Sequence, residues 1–152
     1  MGFMDKLKSL KNAITGGGAK ISLQMDRTIA PGDRVAVTVH CQVEGAPISA
    51  TKVYVAVRAV ETVNLVHRDR DQRGDRDRVH DTETTFSKEF AIHGAVSLPA
   101  NSTHEWRGEI QLPTNVQPTY RGKHAKHEWE VLAAIDVAGN DPDSGWVDIS
   151  VR

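Results

Sequence analysis

At 152 residues and 16.7 kDa, with 19 basic against 20 acidic side chains, the chain has the size of one domain and no net field of either sign. A single cysteine, Cys41, excludes an internal disulfide and a cysteine-based zinc ribbon. No apolar run approaches the ~20 residues of a membrane span, and near-neutral charge gives no reason to expect a nucleic-acid partner.

Residues 1–15 are predicted to form a short amphipathic helix. Phe3, Leu7, Leu10 and Ile14 recur at spacings of four, three and four, which puts them on one stripe. Lys6, Lys8 and Lys11 take the remaining surface with Asp5, and they also interrupt any secretory core. The expected compartment is therefore the cytoplasm. A helix this short is marginal alone in water, so its stripe needs a partner. The three glycines at 16–18 end it and form a hinge.

Beyond the hinge, over residues 19–152, the period falls from about 3.6 to 2. Ile21, Leu23 and Met25 alternate with Ser22 and Gln24, and Pro31-Gly32-Asp33 supplies a turn. Val35, Val37 and Val39 alternate with Ala36, Thr38 and His40, and Cys41 and Val43 prolong that face. Lys52 to Val63 is a β-branched run with Tyr54 on its other face. The segment Arg68 to Arg78 then holds five arginines, four aspartates and nothing apolar. It cannot enter a core and reads as a solvated hairpin tip or loop. Phe86, Phe90 and Ile92 mark a returning strand that pairs with the run before the tip.

Three more alternations follow: Trp106 to Leu112, Trp129 to Val137 and Val147 to Val151. Seven or eight strands with short turns and no helix between them predict an all-β fold, an antiparallel immunoglobulin-like sandwich behind a short helix.

The order of these pieces resembles one lobe of the arrestin-like β-sandwich family, close to bacterial sporulation-control proteins. The opening Met-Gly-Phe-Met-Asp-Lys-Leu-Lys is similar to the short helix that begins many of them. Ala30-Pro31-Gly32-Asp33-Arg34-Val35 resembles the family's first acidic turn, and Lys52 to Val57 its long third strand. Glu109-Ile110-Gln111-Leu112-Pro113 through Pro118-Thr119-Tyr120 resembles its strand, proline turn and aromatic. His127 to Val131 and Asn140-Asp141-Pro142-Asp143 match its penultimate strand and the turn after it in kind. The family usually carries two lobes in tandem, and this chain is long enough for one. The resemblance implies a binding scaffold or adaptor, with a regulatory role of the sporulation or stress type.

Four constellations bear on chemistry. His124 and His127 are three apart, so a strand sends them to opposite faces and denies them one shared metal. Asp141, Asp143 and Ser144 offer too few oxygens for calcium, and read as a turn held by its own side chains. Arg73-Gly74-Asp75 spells an integrin tripeptide by chance in an Arg/Asp run. Cys41, Trp106 and Trp129 are in phase with aliphatic neighbours and belong to the core, whereas Trp146 is out of phase and partly exposed. There is no G-x-S-x-G, H-E-x-x-H or C-x-x-C motif and no glycine-rich phosphate loop.

The expectation is a non-enzymatic adaptor with no cofactor and no metal, which binds a protein partner. Arg68, Arg70, Arg73, Arg76 and Arg78 are the candidate contacts, able to take an acidic partner through bidentate pairs. The stripe of Phe3, Leu7, Leu10 and Ile14 would pack on the chain's own domain, on a partner, or on an anionic membrane. In the last case the protein is peripheral at the inner face of the membrane. A homodimer that pairs two single lobes is a further expectation.

Overall fold

The computed structural model describes residues 18–68 and 76–152, with side chains over 18–65 and 79–152. The predicted helix at 1–15 lies outside the described residues. Ten strands follow in order: β1 (Ala19–Met25), β2 (Thr28–Ile29), β3 (Arg34–Val43), β4 (Ile48–Arg68), β5 (Arg76–His93), β6 (Val96–Leu98), β7 (Thr103–Gln111), β8 (Tyr120–Arg121), β9 (Ala125–Val137) and β10 (Val147–Val151).

They form two sheets, one of three strands in the order β1-β3-β7 and one of seven built on β2-β10-β9-β4-β5. In the larger sheet β6 pairs with the start of β4, and β8 pairs with the start of β9. The two-residue alternation explains the layering. On β3, Val35, Val37, Val39, Cys41 and Val43 are buried while Arg34, Ala36 and Gln42 face water. On β4, Val53, Val55, Val57 and Ala59 meet them from the other sheet, with Trp129, Val131 and Ile135 of β9. Trp106 of β7 and Trp129 are both buried, as their phase requires.

One pairing departs from the antiparallel expectation. β2 runs parallel to β10, with Ser150 opposite Thr28 and Val151 opposite Ile29. The chain leaves the small sheet after Met25, touches the edge of the large one, and returns for β3. That detour sends β2 in the same direction as β10. Ser150 N donates to Arg27 O at 2.7 Å and Arg152 N to Ile29 O at 3.0 Å, so the crossing is hydrogen-bonded on both sides.

Two glycines are required by geometry. Gly32 in the turn before β3 has φ of 83°, a left-handed conformation that glycine adopts without strain. Gly108 on β7 lets Ile92 of β5 close the flank of the sandwich, since a Cβ there would stand 2.9 Å from Ile92 Cδ1.

Candidate functional site

The most distinctive part of the molecule is the β4–β5 hairpin, which is longer than its periodicity predicts. The antiparallel ladder continues through Leu65 opposite Val79, Val66 opposite Arg78, His67 opposite Asp77 and Arg68 opposite Arg76. Three of the five candidate arginine positions, 68, 76 and 78, thus belong to strands and not to a loop. Their side chains, all of Arg70 and Arg73, and Phe3, Leu7, Leu10 and Ile14 lie outside the described residues.

The third strand of this part of the sheet ends sooner. β9 begins at Ala125, opposite Val63, and Asn64 N closes the corner by donating to His124 O at 2.7 Å. Beyond that point β4 and β5 form a two-stranded ribbon. A register shift between Ala59 and Val60 leaves Thr85 as the extra residue of a bulge in β5, which bends the strand locally.

At this bend a polar cluster takes over from the apolar core. His127 is fully buried and both its ring nitrogens are engaged. Nδ1 lies 2.9 Å from Pro118 O, a pure acceptor, so Nδ1 carries the proton. Nε2 therefore accepts, at 2.6 Å, from the hydroxyl of the bulge residue Thr85. Trp129 Nε1 donates to Gln117 O at 2.9 Å, which pins the proline segment along β9. Tyr120 stacks on His127 with ring centroids 5.9 Å apart and donates to Glu61 Oε2 at 3.3 Å. His124 is exposed, so the two histidines share no site. Among the described residues no group of three His, Cys, Asp or Glu side chains is arranged to hold a metal ion.

Sequence reasoning missed this cluster. It weighed His127 with His124, although the informative neighbour was Trp129, two positions on and in the same phase. That spacing marks His127 as a face-sharing, buried residue.

Elsewhere the polar groups of the acidic turn are tied into structure. Asp141 accepts from Val137 N at 3.0 Å and from Tyr54 Oη at 2.8 Å, and Asp143 accepts from Gly145 N at 2.7 Å. Burial and the Asp141 carboxylate push the Tyr54 hydroxyl well above its usual range. Ser144 Oγ accepts from Ala133 N at 2.9 Å, so the acidic turn is held by its own side chains. Trp146 is 39% exposed and carries the Arg58 guanidinium 3.8 Å above its ring. The same guanidinium donates to Glu130 at 2.8 Å. Cys41 is 1% exposed, and burial raises its thiol to about 11. No helix among the described residues is long and apolar enough to cross a membrane.

No family model and no curated protein matches the chain. Among solved structures it is similar to the crystal structure of Spo0M, a sporulation control protein from Bacillus subtilis. The TM-score is 0.60 at 21% identity, over 90% of this chain and 50% of that one. The chain spans about half the length of that structure and shares its fold.

Proposed function

We propose that the chain is a non-catalytic adaptor of the arrestin-like kind, which grips an acidic protein partner with the arginine-bearing end of the β4–β5 hairpin. One observation carries the reading: the ladder runs on to Arg68 opposite Arg76 after β9 has stopped at Ala125. A ribbon free of its neighbouring strand offers its charged positions to a partner. By the two-residue strand period, register positions 68, 76 and 78 share one face and position 77 the other. Arginine suits such a surface because its planar fork binds a carboxylate bidentately.

The non-catalytic part is supported by where the reactive groups are spent. His127 holds the proline segment, Cys41 is a buried neutral thiol, and Ser144 caps a turn. The structural neighbour's description as a sporulation control protein favours a regulatory role.

Fluorescence anisotropy of a labelled poly-glutamate peptide against the full chain tests the reading. A variant with Arg68, Arg70, Arg73, Arg76 and Arg78 all replaced by Ser should bind about tenfold more weakly. Wild-type affinity should fall as salt is raised. Equal affinity for the two chains overturns the assignment.

A further inference from the structure

A second surface lies on the opposite face of the same ribbon. Four large apolar residues are exposed among the described ones, and three of them, Leu65 at 42%, Val79 at 50% and Tyr120 at 39%, share this face. The register joins them in consecutive rows. Tyr120 stands opposite His127 and His127 opposite Glu61, then Ala125 opposite Val63, then Leu65 opposite Val79. The same rows carry Glu83 opposite Glu61 and Asp81 opposite Val63. The result is an apolar strip with an acidic margin of Glu61, Asp81 and Glu83. The nearby cations Arg121 and Lys126 are paired with Glu128 on the other face, which leaves Lys123 and His124 at the strip's outer corner.

An apolar strip edged with carboxylates complements a helix with an apolar stripe edged with lysines. The N-terminal segment has that composition: Phe3, Leu7, Leu10 and Ile14, with Lys6, Lys8 and Lys11. It cannot reach the strip of its own chain. Gly18 O accepts from Glu44 N at the end of the sandwich where β4 begins, beside Ile48. Leu65 stands seventeen positions further along β4, roughly 55 Å away at the strand rise. The hinge and a helix over residues 3–14 extend about 30 Å from Gly18.

We propose that this strip is the docking site for the basic amphipathic segment, residues 3–14, of a second copy of the chain. Two copies side by side and antiparallel bring each Gly18 end to the other's ribbon. The exchange is then reciprocal and closes as a two-fold dimer. This inference stands apart from the arginine reading, because it uses the other face of the ribbon and a different ligand.

A charge exchange in full-length protein tests it. One variant carries Lys6→Glu, Lys8→Glu and Lys11→Glu, and a second carries Asp81→Lys and Glu83→Lys. By light scattering, wild type should have about twice the 16.7 kDa chain mass. Each variant alone should be a monomer, and an equal mixture of the two should recover the dimer. Restoration on mixing also shows that both variants are folded. A double variant, Leu10→Cys with Val79→Cys, adds geometry, since Cys41 is buried and does not compete. Oxidation should link two chains. Several outcomes overturn the proposal: a link within one chain, no link, variants that stay dimeric alone, or a mixture that stays monomeric. So does a monomeric wild type whose lysines are needed to bind phosphatidylserine vesicles, which makes a membrane the occupant.

Discussion

The two halves of β4 run along one continuous face and meet different fates. Val53, Val55 and Val57 are at most 1% exposed, whereas Leu65, further along the same face, is 42% exposed. The β4–β9 register is unbroken from Val53 to Val63, so the difference is not one of phase. It lies in cover. The first half has β5 and β9 beside it and the three-stranded sheet above it; the second has β5 alone. The pattern of apolar residues therefore reports which positions share a face, and tertiary context decides whether that face becomes core or surface.

The sharpest way to break the covered half is Trp129→Ala. It removes a 1% exposed ring and its bond to Gln117, and should lower unfolding free energy by about 3–5 kcal/mol in a urea titration. Cys41 measures how tightly that half is closed. Its thiol, raised from 9.0 to about 11, should hold about a hundredfold less thiolate at pH 8 than an unperturbed one. Ellman's reagent should react with it only as fast as the sandwich opens. Because the folded form prefers the neutral thiol, this contribution to stability is complete below about pH 9 and is lost as pH rises toward 11. At the boundary between the halves, Thr85→Val strips His127 Nε2 of its donor in a buried setting. The expected cost is about 1–3 kcal/mol, read from thermal unfolding. Leu65→Ser and Val79→Ser, in dilute protein, should change stability by less than about 0.5 kcal/mol, since both residues are exposed in the isolated chain. A loss comparable to that of Trp129→Ala would mean that the ribbon is covered after all.

Much of the covered half was legible in the sequence. The strand phases, the pairing of the run before the charged segment with the run after it, the burial of Cys41, Trp106 and Trp129, and the exposure of Trp146 all follow from period two. The strand path through the charged segment was not, because hydrophobic alternation is a signal of burial and a ribbon open on both faces emits none. β2, β6 and β8 were missed for a simpler reason: two or three residues are too few to display a period. The candidate surfaces were legible only in composition. The charged segment was conspicuous as a run, but the row from Tyr120 through His127 to Glu61 joins three distant stretches and exists only through register.

The parallel meeting of β2 with β10 bears on how the molecule is made. It joins positions 28–29 to 150–151, and Ile149 and Val151 are buried in the core. A ribosome would have delivered every other strand before this contact can form. The large sheet thus waits with one flank unsealed until its last strand emerges. Pairings of such long sequence separation are slow to form. On refolding from denaturant the domain should accordingly gain protease resistance in a late step, when β10 closes on β2.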